Sequence, residues 1–264
     1  AAGNEGVAST ALTVTIDTAA PTVTVDSLVT NDTSPPLSGT VDDASASISV
    51  IVNGETVAAT NNGDGTWSVA DDALAPPLTD GFYDVSVTAT DLADNAASDI
   101  STGELEVDTS VPDAPSLPVL ASDSGTLGDN LTNVTSPVFS GTAEDYATVH
   151  LLEGATSVGT GVADENGDWS ITAADLGEGE HTLVAQQVDQ AGNSPSDSST
   201  PLTFTIDTTP PDAPSTPDLF GASDNGVSDT DDITADVTPT LVGFSEPGLD
   251  VTLSSNLTSP VGTA

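Results

Sequence analysis

The sequence predicts an all-β chain of sandwich domains arranged end to end, and three observations carry that prediction. Internal markers recur in constant order with a period near 100 residues. Short β-branched runs separated by Gly, Asn and Asp turn signals fill each period. No stretch of about 12 residues or more shows the apolar period of a helix.

The markers define the frame. Asn-x-Thr-Ser-Pro followed by Ser-Gly-Thr runs from Asn31 to Thr40 and again from Asn133 to Thr142, and Gly39, Gly141 and Gly243 stand 102 residues apart in succession. Gly65-Thr66-Trp67-Ser68 returns as Gly167-Asp168-Trp169-Ser170, and Asp91-Leu92-Ala93-Asp94-Asn95 as Asp189-Gln190-Ala191-Gly192-Asn193. Asp-Thr-x-x-Pro stands at Asp17, Asp108 and Asp207. Four segments follow: 1–17, the terminal strand of a preceding repeat; 18–108 and 109–207, two whole repeats; and 208–264, the first part of a third. Ala2-Gly3-Asn4 matches Ala191-Gly192-Asn193, so the chain is expected to begin inside one repeat and stop inside another.

Within a repeat the elements read as strand after strand. In the first, Ile48–Val52 and Tyr83–Thr88 are strands, the latter alternating with period two. In the second, Thr148–Leu152, Trp169–Thr172, Thr182–Ala185 and Leu202–Ile206 are the candidates. Asn62-Gly63-Asp64-Gly65, Asn166-Gly167-Asp168 and Gly177-Glu178-Gly179-Glu180 are turns. About seven short strands per 100 residues describe an immunoglobulin-like sandwich, here without a cysteine pair and with one core tryptophan per complete repeat.

Composition narrows function. The 264 residues carry 42 acidic side chains, no Lys or Arg and no Cys, for a formal charge of −42. Nothing can neutralise a phosphate, so nucleic acids and anionic membrane surfaces are excluded as partners. No run of about 18 apolar residues exists, so insertion in a bilayer as a helix is not expected. Only 36% of residues are hydrophobic and 3% aromatic, which by itself leans towards disorder. The acid is 32 Asp against 10 Glu, the side chain of turns and cation loops more than of helix faces.

The motifs resemble a known family. Ile206-Asp207-Thr208-Thr209-Pro210-Pro211-Asp212-Ala213-Pro214, Ser223-Asp224-Asn225-Gly226, Gly141-Thr142-Ala143-Glu144, Gly167–Ser170 and Asp189–Asn193 together resemble the bacterial Ig-like repeats of giant RTX-type adhesins. The resemblance implies surface proteins of Gram-negative bacteria, exported by type I secretion and used in adhesion and biofilm. Such repeats form a stalk that carries a distal ligand-binding tip, stiffened by calcium where domains meet. The first repeat departs from the pattern: it lacks the Ser-Asp-x-Gly loop of Ser122–Gly125 and 223–226, and has Asp94 where the second has Gly192. Its lower junction is expected to hold fewer ions.

The residues support calcium in their own right, because Ca²⁺ takes six to eight hard oxygens from loops. Strand order in a seven-stranded sandwich places the loop after the sixth strand beside the chain entry, bringing Asp91 and Asn95 near Asp17, and Asp189 and Asn193 near Asp108. Asp42, Asp43, Glu144 and Asp145 should lie at that end too. The opposite end carries Asp123, Asp129, Asn130 and Asn133, with Asp224, Asp229 and Asp231 as counterparts in the third repeat and Asp207 in its linker. A lone Asp is ordinarily a turn cap, but carboxylates crowded at a junction without a basic residue call for a cation. About 10 Ca²⁺ would cancel nearly half the charge.

No catalytic constellation stands out: His150 and His181 are 31 residues apart, do not recur with the repeats and have no Gly-x-Ser-x-Gly partner, so the chain is not expected to be an enzyme. The sequons at Asn31, Asn130, Asn133 and Asn256 fit chance in so Asn- and Thr-rich a chain. The expected function is a calcium-rigidified extender whose partners are the neighbouring repeats of the same chain. The alternatives are an Ig-like module that itself binds a glycan or protein through residues such as Phe82, Tyr83 and Tyr146, or a self-associating subunit of an extracellular filament or surface layer.

Overall fold

A computed structural model of the chain describes residues 9–99, 101–228, 230–254 and 260–263, all of them strand, turn or extended chain without a helix. None of the described segments is therefore a helix long and apolar enough to cross a membrane. Residues 1–207 and 208–264 form two compact units.

The first repeat contains β1 (Leu28–Thr30), β2 (Leu37–Thr40), β3 (Ser47–Val52), β4 (Glu55–Asn61), β5 (Thr66–Val69), β6 (Gly81–Tyr83), β7 (Val85–Thr90), β8 (Ala96–Asp99) and β9 (Leu105–Val107). The second contains β10 (Val119–Leu120), β11 (Leu131–Thr132), β12 (Val138–Thr142), β13 (Thr148–Glu153), β14 (Thr156–Val162), β15 (Asp168–Thr172), β16 (Gly179–Val188) and β17 (Leu202–Ile206). One layer of the second repeat is β10-β12-β15 and the other β11-β17-β16-β13-β14, with β11 parallel to β17. The first repeat follows the same plan, with β4 bridging to β5 so that the layers join along one edge. The strands expected within the two whole repeats are present, with one correction: the Tyr83–Thr88 strand is broken at Asp84 into β6 and β7. β6 pairs with β9 and β7 with β3, so the chain changes sheet at Asp84, where its carboxylate accepts the Gly103 N–H at 2.8 Å and the Val85 N–H donates to Glu104 Oε2 at 3.0 Å.

Alternation decides which residues meet. Val85, Val87 and Ala89 of β7 face inwards between half-exposed neighbours, and Leu183, Ala185 and Gln187 do the same on β16. Each repeat encloses its own core. Val41, Val50, Trp67, Val87 and Leu105 centre the first; Phe139, Leu151, Trp169, Leu183 and Phe204 centre the second, where Phe139 and Phe204 meet edge to face at 5.1 Å.

The recurring glycine explains the recurring tryptophan. Gly39 pairs with Trp67 across β2 and β5, and a Cβ there would stand 2.0 Å from the Thr24 carbonyl oxygen and 2.6 Å from Trp67 Nε1. Gly141 lies under Trp169, where a Cβ would meet Cζ2 at 2.5 Å. Each glycine thus lets an indole lie flat on the backbone. Gly39→Ala is expected to destabilise the first repeat by about 1–3 kcal/mol through overpacking, read as a lower urea midpoint reported by Trp67 in a Trp169→Phe background; an unchanged midpoint would show that the indole has room to move.

Residues 9–17, expected as a terminal strand, pair with no described segment; Leu12, Val14 and Ile16 are exposed. In the 208–264 unit, β18 (Asp218–Leu219) pairs with β19 (Leu241–Val242) and β20 (Thr252–Ser254) with β21 (Pro260–Thr263).

Candidate functional site

The loops after β7 and β16 are built alike. An aspartate opens each, and an asparagine four residues on closes it. Asp91 accepts the Ala93 and Asn95 N–H groups on Oδ1 at 2.7 and 2.8 Å, and the Asn95 amide on Oδ2 at 2.8 Å. The Asn95 side-chain donor, followed by the two backbone donors, holds the Asp91 carboxyl below its usual range against the opposing effect of burial. Asp189 accepts the Asn193 N–H at 2.9 Å and its amide at 2.8 Å. Residue 94 or 192 then adopts a positive φ, of 66° for Asp94 and 82° for Gly192. An aspartate tolerates that conformation, which is why the two loops share a shape despite the exchange.

Each loop asparagine reaches the linker. Asn95 Nδ2 donates to the Asp17 carbonyl at 3.2 Å, and Asn193 Nδ2 to the Asp108 carbonyl at 2.9 Å. The spatial neighbours named from strand order therefore do meet, through amides and main chain. Asp17 uses its carboxylate to cap the Ala19 N–H. Asp42 and Asp43 also cap nearby backbone, at Thr22 and Ser45.

The junction at Asp108 gathers acid from both repeats. Glu106 comes from β9, Asp108 and Asp113 from the linker, and Glu144, Asp145 and Asp189 from the second repeat. Burial raises the Glu106 carboxyl above its ordinary value, and the charges of Asp108 and Asp145 add to it. Glu144 is likewise raised, first by burial and then by Asp189, Asp108 and Asp113, against one N–H donor from Asp113. Gln187, buried on β16, fixes the second-repeat side by accepting the Glu144 N–H at 2.8 Å and donating to the Asp113 carbonyl at 2.6 Å. Alternation alone signals that Gln187 points inwards; its role was not among the sequence expectations. No group of three acidic or histidine side chains among the described residues converges closely enough to hold an ion.

The opposite end of the second repeat carries the Ser-Asp-x-Gly loop. Asp123 Oδ2 accepts the Gly128 N–H, while its Oδ1 is shielded from solvent and has no hydrogen-bond partner. Asp129 caps the Leu131 N–H, and Asn130, at φ 59°, offers its carbonyl to Thr205. β11 then runs beside β17, so this loop sits where β17 leaves the domain, with the Asp207 N–H on the Thr132 carbonyl. In the 208–264 unit Asp224 is buried and its Oδ1 is again unpartnered, while Asp231 caps the Ile233 N–H. Asp229 lies outside the described residues.

The histidines serve the sheets. His150 Nδ1 meets the Thr160 hydroxyl at 3.1 Å. His181 stacks on Phe204, with Nδ1 2.8 Å from Glu153 Oε1 and Nε2 2.7 Å from the Gly177 carbonyl. Both partners are acceptors, an arrangement that favours the doubly protonated ring. Burial lowers the His181 pKa, but the Gly177 carbonyl and Glu153 outweigh it and hold it above its ordinary value. A raised histidine contributes stability that is complete below its unfolded pKa of about 6.5 and is lost as pH rises through the folded value. The second repeat should therefore lose up to about 1 kcal/mol over that rise. His181→Gln should abolish this slope in urea melts followed by Trp169 fluorescence in a Trp67→Phe background; a slope surviving the substitution would assign it elsewhere.

These features define a tandem immunoglobulin-like array in which a loop of each repeat is tied to the linker that enters it. The chain belongs to the bacterial Ig-like domain family, whose model matches residues 22–109 and 113–208. Similar solved structures include the BSP domain of a biofilm-associated protein, with 24% identity over 71% of this chain and 30% of that one, at a TM-score of 0.27. A 1.5-MDa bacterial ice-binding adhesin is similar at 26% identity over 72% and 65%, with a TM-score of 0.28. The Yersinia pseudotuberculosis adhesin InvE is similar at 13% identity over 70% and 58%, with a TM-score of 0.29. The chain thus spans less than two thirds of each of these structures. No curated protein sequence matches it.

Proposed function

We propose that this chain is part of the stalk of a bacterial surface adhesin, in which Ig-like repeats set end to end project a distal binding domain and calcium occupies the junction loops. The observation that carries the reading is the repeated tie of Asn95 to the Asp17 carbonyl and of Asn193 to that of Asp108. A contact that recurs at successive linkers transmits force and direction along an array. The motif resemblance supplies the RTX type, type I secretion and the Gram-negative surface. With about 3.3 Å per strand residue, each repeat extends the stalk by about 40 Å.

The donors suit a hard cation. The shielded, unpartnered oxygens of Asp123 and Asp224 are acceptors that an ion would satisfy. Asp123, Asp129 and Asn130 would hold one ion, and Asp224, Asp229 and Asp231 another. Asp108 and Asp189 with Asn193 would serve the central junction, Asp17 with Asp91 and Asn95 the first linker, and Asp207 the linker at its end. Bound calcium would supply positive charge where Glu106 and Glu144 now face other carboxylates. Calorimetric titration of the metal-stripped chain with calcium chloride should show several ions bound per chain. Absence of heat, together with a metal count of zero after dialysis against calcium, would overturn the cation reading.

A further inference from the structure

We infer that the joint between the two complete repeats is closed by a direct hydrogen-bonded latch, in which Asn31 and Asp80 of the first repeat hold the 189–193 loop and the linker, and that it orients the repeats without a bound ion. The inference deepens the stalk reading, on which its purpose rests.

Asn31 follows β1, which the parallel pairing with β9 sets beside the start of the linker; the Asp108 N–H donates to the Thr30 carbonyl at 2.9 Å. From there Asn31 makes two bonds to the second repeat. Its backbone N–H donates to the Ala191 carbonyl at 3.2 Å, and its side-chain amide to the Gly192 carbonyl at 3.0 Å. Two successive carbonyls held by one residue fix the loop in rotation as well as in distance. The loop can be grasped because it is already rigid: Asp189 and Asn193 close it, and Gly192 at positive φ sets the direction of its carbonyl.

The linker is fastened from both sides. Asp80, in the loop before β6, accepts the Thr109 N–H at 3.0 Å and its hydroxyl at 2.7 Å on Oδ1, and the Ser110 hydroxyl at 3.1 Å on Oδ2. Asn193 of the second repeat holds the preceding Asp108 carbonyl at 2.9 Å. Residues 108–110 are thus pinned to both domains by neutral or singly charged bonds, and none of these bonds needs two carboxylates to approach. The acid at this joint, Glu106 with Asp108 and Asp145, is a separate feature that an ion would relieve.

The chain contains no cysteine, so spin labels can be attached at Glu55→Cys and Thr156→Cys, exposed positions at the β3–β4 and β13–β14 turns. Pulsed electron–electron distance measurements in chelator should give one narrow distribution for the parent chain. Asn31→Ala combined with Asp80→Ala removes the side-chain bonds to Gly192, Thr109 and Ser110, leaving the main-chain bond to Ala191, and should broaden it about twofold as the linker gains freedom. An unchanged circular-dichroism spectrum and urea unfolding curve of the full-length double variant would show that both repeats remain folded. A parent distribution already broad in chelator overturns the latch, as does a double variant as narrow as the parent. Failure of the cation reading shows differently: calcium then neither binds in calorimetry nor alters any distribution, while the effect of the double variant persists.

Discussion

Trp169→Ala is expected to unfold the second repeat at denaturant concentrations that leave the first intact. The indole is 3% exposed in a core that shares no residue with that of the first repeat. Removing a buried aromatic of this size costs about 3–5 kcal/mol, a large part of the stability of about 5–15 kcal/mol that a domain has at all. The remaining core is mainly Leu, Val, Ile and Ala, with Phe139 and Phe204 as its aromatic pair, and cannot close over the void. The chain has two tryptophans, so in this variant Trp67 reports the first repeat alone. Circular dichroism should show two transitions, the lower one belonging to the second repeat, while Trp67 fluorescence follows only the upper. A single unshifted transition would mean that the cores are energetically coupled or that the indole contributes little. Trp169→Phe should be far milder, about 1 kcal/mol, because Trp169 Nε1 has no hydrogen-bond partner to lose. Trp67 differs, since its Nε1 donates to the Thr24 carbonyl at 2.8 Å.

Calcium is expected to raise the stability of the whole chain by about 2.7 kcal/mol per independent site at an ion concentration 100 times the dissociation constant. Ions that bind the folded junctions and not the unfolded chain shift the equilibrium by mass action, and the crowded Glu106 and Glu144 carboxyls are the groups that gain most from a nearby positive charge. Sodium chloride at matched ionic strength should give a smaller gain by screening alone. Magnesium should lie between the two, because it keeps its waters and demands a tighter octahedron. Thermal melts in chelator, sodium, magnesium and calcium decide the matter. Equal gains from calcium and from matched sodium would reduce the effect to screening and remove the case for sites.

The fold was legible because its signals are local and repeated. Gly39 and Trp67, then Gly141 and Trp169, announce a strand pair whose backbone must admit an indole, and the structure shows the reason in the sub-van-der-Waals space over each glycine. Asp91 to Asn95 and Asp189 to Asn193 were legible as loops near Asp17 and Asp108, since strand order alone puts the turn after the sixth strand of a sandwich beside the domain entry. The chemistry made there was less visible. The aspartates close their own loops, and it is the asparagine amides that reach the linker. Asp84 lay hidden inside an alternating run, because the break there goes with a change of pairing partner from β9 to β3 and with bonds from distant residues 103 and 104.

By itself the sequence determined the all-β class, the period of the array, the tryptophan-centred cores and the loops that meet the linkers. Each of these follows from side-chain periodicity, turn chemistry or a motif repeated within about 100 residues. Only the tertiary structure decided which polar groups find partners. Asn31 meets residues 191 and 192, and Asp80 meets Thr109 and Ser110. Gln187 bridges Glu144 and Asp113, and His181 lies between Glu153 and Gly177. The physical reason is range: hydrophobic alternation is written along one strand, whereas a hydrogen bond reaches about 3 Å and depends on where separate segments come to rest. The charge of −42, which by composition leans towards disorder, coexists with two closed cores because none of the described acidic residues belongs to either core cluster.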